Sequence, residues 1–327
     1  MVPSFFKKLG PISSDLIKSS IDCEIVNVSK DDYFDNFVNI SNVSDNALSF
    51  LYDNEKIEDY LPQKSGIICT EKMANKLNPD QKKFIVRNVQ ESVSKISNIF
   101  YRDYTEKEKK NFADPVLGEN CVIGNNVTIE NGAIIGKNVK INHGAVVKIN
   151  CIIGDGSTIG SNSVISNSIL GENIYIGSNS SIGQRGFGFF LSNNNNIDIY
   201  HIGRVLLQSK VSIGANCTID RGSFSDTIIG ENTYLDNLCH IAHNVEIGNN
   251  SAFAAMTGIA GSAKIGNYVL TGGQTGIAGH IKIGNNVHIA AKSGVFQSIN
   301  DGETVMGNPA VNKYKFIKNY KKIYGKK

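Results

Sequence analysis

The sequence predicts a mainly β fold: a parallel β-helix preceded by an α/β domain and followed by a short helix. Two observations support this prediction. Aliphatic residues recur every six positions from Leu117 onward, and the first 102 residues lack that rhythm. A period of six fits neither an α-helix nor an alternating strand, whereas it is typical of a solenoid built from hexapeptide repeats.

The repeat gives each residue of the solenoid a place. Nine successive beat positions are aliphatic from Leu117 to Ile165, and after a one-residue slip the rhythm continues to Val295, with Thr271 as its polar exception. Three six-residue sides close a triangular coil, so about eighteen residues advance the chain by about 4.8 Å. We expect beat residues to point inward, and Gly, Asn and Asp at the corners to adopt positive φ.

Four segments follow from this rhythm. They are an α/β domain, a charged connector, the solenoid and a basic C-terminal helix, over residues 1–102, 103–115, 116–310 and 311–327 respectively. In the first segment, strands are expected within 34–54 and 65–70. An amphipathic helix is expected across "DQKKFIVRNVQESVSKISNIF", residues 80–100, opened by Asp80.

Two stretches interrupt the sixfold beat. They are "GQRGFGFFLSNNNNIDIYHIGRV", residues 183–205, and "RGSFSD", residues 221–226. Loops that project from a rigid scaffold tend to carry binding functions. His201, in the longer stretch, is expected to be a surface residue.

Composition excludes several classes of protein. The net charge is +3 over 327 residues, which argues against a nucleic-acid-binding protein. No apolar run approaches the length of a membrane span, and "MVPSFFKKLG" lacks the features of a signal peptide, so we expect a cytoplasmic protein. The six cysteines have irregular spacings and no CxxC pair, which indicates reduced thiols. Four of them occupy the small position two residues before a beat: Cys121, Cys151, Cys217 and Cys239.

Two histidines are candidates for catalysis. His243 and His280 are 37 residues apart, which is two coils plus one residue and places both near one edge of the prism. Gly261 lies one coil after His243, where its backbone N–H is expected to be unshielded. A base beside a bare N–H donor suits acyl transfer, because the base takes a proton from the nucleophile while the donor stabilises the oxyanion. No Ser or Cys stands out as a nucleophile, so direct attack on a thioester is predicted.

A metal site is the rival interpretation of "CHIAH", residues 239–243. Cys and His are suitable zinc ligands, but a site needs ligands that converge. Cys239 is expected to point into a corner, and His240 and His243 to face opposite sides of a strand. We therefore predict no metal site.

Several longer motifs resemble one family. They are "QRGFGFF", "TIDRGSFSDTIIG", "NLCHIAHNVEIG", "GIAGSAKIG", "GGQTGIAGHIKIG" and "GNPA". In this order they are similar to the UDP-3-O-acylglucosamine N-acyltransferases of lipid A biosynthesis. The resemblance implies a homotrimer of left-handed β-helices with active sites between subunits. It implies transfer of a 3-hydroxyacyl chain from acyl carrier protein to the 2-amine of UDP-3-O-(3-hydroxyacyl)-glucosamine. The phosphopantetheine of the carrier protein holds the chain, and no other cofactor is implied.

The resemblance also assigns residues. His243 is implied as general base, His280 as an assisting residue and Gly261 as oxyanion donor. The N-terminal domain is implied to bind uridine through Phe50 and Asn54, although a core role for Phe50 remains open. Ile57 stands where the family has a Tyr, so Tyr52 or Tyr60 is expected to substitute. Arg185 stands where the family often has an acid, which leaves the role of that position open.

Two other functions remain possible from the sequence. One is a solenoid acyltransferase that uses acyl-CoA and a different amino-sugar nucleotide, and the other is a non-catalytic scaffold that binds sugar nucleotides. The acyl-chain length is also open. Residues 312–327 contain seven Lys and no acid, which fits either a solvated helix or a docking site for an acidic partner.

Overall fold

The computed structural model describes most of the chain, namely residues 4–55, 57, 61–191, 195–307 and 313–324. Its main body is the expected left-handed parallel β-helix, with three walls of nine, ten and nine described strands. Each strand pairs in parallel with the strand one coil later, so that Ile141 lies opposite Ile159 and Ile229 opposite Ile247. The predicted triangular winding is therefore confirmed.

The strands of each wall are short, and most contain two residues. The first wall comprises Val116–Leu117, Ile134–Ile135, Ile152–Ile153, Ser168–Leu170, Val205–Leu207, Thr227–Ile229, Glu246–Ile247, Lys264–Ile265 and Lys282–Ile283. The second wall comprises Val122–Ile123, Lys140–Ile141, Thr158–Ile159, Tyr175–Ile176, Ser212–Ile213, Tyr234–Leu235, Ala252–Phe253, Leu270–Thr271, His288–Ile289 and Thr304–Val305. The third wall comprises Thr128–Ile129, Val146–Val147, Val164–Ile165, Ser181–Arg185, Thr218–Arg221, His240–Ile241, Gly258–Ile259, Gly276–Ile277 and Gly294–Val295.

Beat residues form the solenoid core, as predicted. Ile141, Ile213 and Ile241 are fully buried, and Thr271 is nearly so. The hydroxyl of Thr271 lies 3.1 Å from that of Thr257, which gives this polar beat residue a partner inside the prism. All six cysteines are free thiols.

Corner residues adopt the left-handed conformation that the composition indicated. Asn138, Asn162 and Asn216, for example, have φ between 55° and 58°. Asn tolerates this region better than other non-glycine residues, which accounts for its abundance at the corners.

The N-terminal domain contains a five-stranded sheet. Its spatial order is Cys23–Val26, Lys82–Val86, Gly66–Cys69, Ala47–Leu51 and Asn36–Asn39. The first pair is antiparallel and the others are parallel. Short antiparallel pairs join Lys7–Lys8 to Tyr101–Arg102 and Ile12–Ser13 to Tyr33–Phe34. The helical segments are Ser14–Ser20, Ile40–Asn42 (3₁₀), Glu71–Ala74, Val89–Phe100 and, in the connector, Glu106–Lys109.

The prediction of a helix over residues 80–100 is wrong for the first half of that range. Lys82–Val86 is a strand in the sheet interior, and the helix begins only at Val89. The side chain of Asn88 accepts from the backbone N–H of Glu91 at 3.0 Å and caps the helix. The aromatic and β-branched residues before this cap favour a strand when both faces of the sheet are covered.

Both interruptions of the beat pack against the N-terminal domain. Residues 183–205 contain a hairpin of Phe189–Phe190 and Ile197–Asp198, and Asn98 donates to the carbonyl of Asp198 at 2.8 Å. Phe224, in the shorter interruption, lies with its ring centroid 4.9 Å from that of Phe50. These stretches therefore hold the two domains together.

The C-terminal helix spans Lys313–Tyr324. Its described lysines are exposed. Within the described ranges, the helices are too short or too polar to cross a bilayer.

Candidate active site

A groove of about 530 Å³ lies on the outer surface of the third wall. Its floor includes Gly258, Gly276 and Gly294, which are the first residues of three successive strands. A Cβ atom built on Gly258 or Gly276 would meet no atom within 4 Å, so these glycines deepen the groove without being required by packing. The exposed rings of Phe187 and Phe296 also line it. The groove is apolar and suits an alkyl chain.

His243 and Gly261 lie together in this groove. A Cβ atom built on Gly261 would lie 2.8 Å from both Cε1 and Nε2 of His243, closer than real contacts allow. The imidazole therefore packs directly on the Cα atom of Gly261, and only glycine leaves room for it. The triangular winding brings these residues together as the eighteen-residue spacing predicted.

Asn244 fixes the orientation of the imidazole. Its Oδ1 atom accepts from the backbone N–H of Ser223 at 3.1 Å, and its amide nitrogen donates to the carbonyl of Ser225 at 2.9 Å. Because Oδ1 is an acceptor, Nδ1 of His243, at 2.9 Å, must donate to it. Nε2 then carries the lone pair and can act as a base. Sequence reasoning missed Asn244, although its place beside His243 in "IAHN" was a usable signal.

The backbone N–H of Gly261 has no acceptor among the described residues. The amides on either side of it, at Ala260 and Ser262, donate to Ile277 and His243 respectively, both at 2.9 Å. Gly261 is half-buried and lines the groove, from which we infer that its amide is open to a ligand. This is the arrangement that an oxyanion donor requires.

His280 lies at the same corner but outside the groove lining. Its φ is 60°, its side chain is exposed, and its backbone N–H donates to the carbonyl of Gly261 at 3.1 Å. His280 lies one residue after Gly279, which is the position of its coil that is equivalent to His243 and Gly261. The structure therefore brings Gly261 to His243, whereas the exposed side chain of His280 does not line the groove with them.

His240 and His243 line the same groove, which corrects the expectation that they face opposite sides. The strand contains only His240 and Ile241, so the alternation ends before His243, which lies in the turn. The Nδ1 atom of His240 lies 2.7 Å from the hydroxyl of Thr218, and its Nε2 atom 3.8 Å from Asp220. Burial raises the pKa of the Asp220 carboxyl. Cys239 is buried in the solenoid, away from both imidazoles.

His201 is completely buried, which corrects its expected surface position. Its ring centroid is 5.3 Å from that of His243, and its Nε2 atom has no hydrogen-bond partner within the described chain. Burial first, and then the charge of His243, lowers the pKa of His201 to about 3. The loop packs closely on this ring: a Cβ atom built on Gly188 would collide with Nε2 of His201, and one built on Gly186 would lie 3.0 Å from Cε1 of His201 and 2.7 Å from Cβ of His243.

The predicted uridine residues occupy contrasting positions. Phe50 is 3% exposed and packs against Phe37 and Tyr52, with centroids 5.4 and 5.5 Å apart, which is the position of a core aromatic. Asn54 is exposed in the turn after the strand Ala47–Leu51. Burial, and then Glu55, raises the pKa of Tyr52 to about 12. Tyr60 lies outside the described residues.

A larger cavity, of about 710 Å³, lies where the N-terminal domain meets the solenoid. Its charged side chains are largely paired with one another: Lys109 with Glu106 at 2.9 Å, and Arg185 with Asp198 at 2.6 Å. Arg185 thus holds the hairpin of the longer interruption. The smaller groove is the candidate active site because it contains the base and the open amide.

Two models of known protein families match the solenoid. The GMPPB C-terminal domain matches residues 112–197, and the bacterial transferase hexapeptide (six repeats) matches residues 226–261 and 262–297. The second model covers the coils that carry His243, Gly261 and His280. The hexapeptide solenoid predicted from the six-residue period is confirmed in these coils.

Curated proteins similar to this chain share one name. A UDP-3-O-acylglucosamine N-acyltransferase from Caulobacter vibrioides is 47% identical over 89 residues, which are 27% of this chain and 26% of that protein. One from Maricaulis maris is 58% identical over 67 residues, 20% of each. The chain thus matches about a quarter or less of the length of these relatives. The resemblance predicted from the motifs is confirmed over the matched segment.

A solved structure is similar over a larger part of the chain. The UDP-N-acetylglucosamine acyltransferase from Campylobacter jejuni has a TM-score of 0.52 and 24% identity, and the likeness covers 63% of this chain and 85% of that one. At this identity the likeness shows the β-helix fold alone.

Proposed function

We propose that this chain is an N-acyltransferase of lipid A biosynthesis, in keeping with the name shared by its curated relatives. It moves a 3-hydroxyacyl chain from acyl carrier protein to the 2-amine of UDP-3-O-(3-hydroxyacyl)-glucosamine. The observation that carries the proposal is the packing of the His243 imidazole against Gly261, whose amide is open, in an apolar groove.

The reaction uses a base and a donor, without a covalent enzyme intermediate. The substrate amine attacks the thioester carbonyl carbon while Nε2 of His243 takes its proton. The Gly261 N–H donates to the oxygen that becomes negative. The intermediate then collapses: the C–S bond breaks, the new C–N bond remains, and the imidazolium returns its proton to the phosphopantetheine sulfur. The products are an amide and a free thiol.

The remaining assignments belong to the same proposal. His280 assists at the corner, and the exposed Asn54 serves the uridine end of the substrate, whereas the buried Phe50 supports that domain from its core. The acyl chain arrives on the phosphopantetheine of the carrier protein, so no resident cofactor is needed. A carrier protein as donor makes the cytoplasm the expected compartment.

We also propose a homotrimer. The second wall exposes a large side chain at every second coil, with Tyr175, Tyr234 and Leu270 each between 43% and 52% exposed. The small residues Ser212 and Ala252 lie between them. A row of apolar residues on a flat wall is typical of a surface that a partner covers. A partner's wall would also close the open side of the groove.

The test is an intact-mass measurement of the product. UDP-3-O-(3-hydroxyacyl)-glucosamine should gain one hydroxyacyl group with acyl carrier protein as donor, and much more slowly with the matching acyl-CoA. Faster transfer from acyl-CoA would favour the acyl-CoA enzyme. Binding of the UDP-sugar with no transfer from either donor would favour the non-catalytic scaffold.

A further inference from the structure

The corner that follows the first wall caps its own backbone amides. Asn249 donates its backbone N–H to Oδ1 of Asn267 at 2.7 Å, and Asn267 donates in turn to Oδ1 of Asn285 at 2.9 Å. The amide of Asn285 donates to Asp301 at 2.8 Å. Each acceptor is the equivalent residue of the next coil, two positions after the beat. One side chain per coil therefore occupies the amide of the coil before it.

The same contact occurs elsewhere in the solenoid. In an earlier coil of the first wall, the amide of Lys137 donates to Oδ1 of Asp155 at 2.8 Å. After the second wall, Asn125 donates to Nδ1 of His143 at 2.7 Å. The amides of Ala215 and Glu231 are capped in the same way, by Asn237 and Asn249, so the cap recurs at corners of the first and second walls.

At the corner after the third wall, the two coils that follow His243 carry no acceptor side chain at this position. The equivalent residues of three successive coils are His243, Gly261 and Gly279. A Cβ atom built on Gly279 would lie 3.7 Å from the backbone nitrogen of Gly261 and 2.7 Å from its carbonyl oxygen. A side chain at position 279 would therefore begin beside the Gly261 peptide, and its contact with the carbonyl oxygen is so close that the backbone must shift slightly.

We propose that Gly279 is a positioning residue for acyl transfer: its lack of a side chain keeps the Gly261 N–H free for the oxyanion. This inference rests on the proposed function. Gly279 makes no contact with the substrate itself in this scheme, since it acts through the amide of Gly261. Gly261 serves the corner twice, because its missing Cβ also makes room for the imidazole of His243.

A capped amide would be a poor oxyanion donor. It would have to give up an acceptor held at about 2.8 Å before it could stabilise the transition state. Loss of one oxyanion donor lowers kcat by about 10²- to 10³-fold in other acyl-transfer sites. A residue that supplies the cap should approach that loss without touching the base.

The experiment compares Gly279→Asn with Gly279→Ala in the whole 327-residue chain. Both add the Cβ atom near the Gly261 carbonyl, but only Asn adds the capping oxygen. We expect the Asn variant to lose about 10²-fold or more in kcat with an unchanged KM. The Ala variant has the same Cβ contact with the Gly261 carbonyl, so its loss measures that contact alone and should be about tenfold smaller than the loss in the Asn variant. Amide hydrogen exchange at Gly261 should slow in the Asn variant alone.

Two outcomes would overturn the proposal. Equal loss of kcat in both variants would assign the effect to the Cβ contact, and full activity in the Asn variant would show that the amide is not used. If the wild-type protein transfers no acyl group, the proposed function fails, whereas hydrogen exchange still reports whether position 279 controls the amide.

Discussion

Two corners of the solenoid have the same turn geometry but different roles. After the first wall, Asn249, Asn267 and Asn285 satisfy one another's backbone through the coils. After the third wall, His243 and Gly261 leave an amide donor open and an imidazole beside it. The backbone is repetitive in both places, so the side chain two positions after each beat decides whether a corner stabilises the fold or is free to react.

The uncapped amide of Gly261 lowers the stability of the fold only slightly. A hydrogen bond such as those of the Asn ladder contributes about 1 kcal/mol. The Gly261 amide is half-buried at the rim of the groove, where water can serve as its partner when no substrate is bound. The solenoid can therefore omit one cap without losing its register, because the strands before and after the corner, Gly258–Ile259 and Lys264–Ile265, remain paired with their neighbours.

The largest expected effect is on the base. Replacing His243 by Ala should lower kcat by about 10³-fold, within the range that general base catalysis supplies, because the amine then loses its proton to water. The melting temperature should change little, since the side chain is half-buried at a corner. His288→Ala, on an exposed position of the second wall, is the matched control. Near-normal turnover in the His243 variant would show that the open corner is not catalytic.

A smaller loss is expected from Gly261→Ala. The new Cβ would occupy a point 2.8 Å from Nε2 of His243, so the imidazole must move while the amide stays in place. We expect kcat to fall by about 10²-fold, because misplacing a catalytic group by about 1 Å has an effect of this size. Gly258→Ala is the control, since its Cβ meets no atom within 4 Å although it narrows the same groove. Equal losses in the two variants would point to groove width instead of imidazole position.

The solenoid half of this site was predictable because its period is fixed. Eighteen residues separate His243 from Gly261, so a count along the chain places one above the other. The outward direction of His240 relative to His243 was not predictable from strand alternation, because the strand ends at Ile241. Because the strands contain only two residues, the conformation of the corner determines where a nearby side chain points, and the pleat of the strand does not.

The parts of the chain outside the repeat have no fixed period, so counting residues does not place their side chains relative to one another. His201 is buried because the two interruptions fold back over it, and no local pattern of hydrophobicity encodes that long-range packing. Phe50 lies in the core of the N-terminal domain because Phe224, from the solenoid, covers it. The strand Lys82–Val86 is not predictable from its own residues, because its pairing with the distant strand Cys23–Val26 places it inside the sheet.

At the corner after the first wall, where side chains cap the amides, we expect a substitution to lower stability and to leave activity unchanged. Asn267→Ala removes the acceptor for the Asn249 amide and should destabilise the protein by about 1 kcal/mol, while kcat stays unchanged. Urea denaturation at a fixed protein concentration measures the loss. Asn267→Asp keeps an acceptor oxygen and should retain most of the stability. A loss of kcat in the Ala variant would mean that the two corners are coupled, and that the corner after the first wall is not purely structural.

The smallest effect is expected from the C-terminal helix, which lies beyond both corners. If its exposed lysines dock the acidic carrier protein, Lys318→Glu combined with Lys321→Glu should raise KM for the carrier protein about three- to tenfold and leave kcat and the melting temperature unchanged. The difference should shrink in 0.5 M salt, where the Debye length is only about 4 Å. Lys137→Glu combined with Lys140→Glu, at an early coil of the solenoid, reverses the same charge at a distant place and controls for net charge. An unchanged KM at low salt would identify the helix as a solvated terminus, and an equal rise in the control would assign the effect to overall charge.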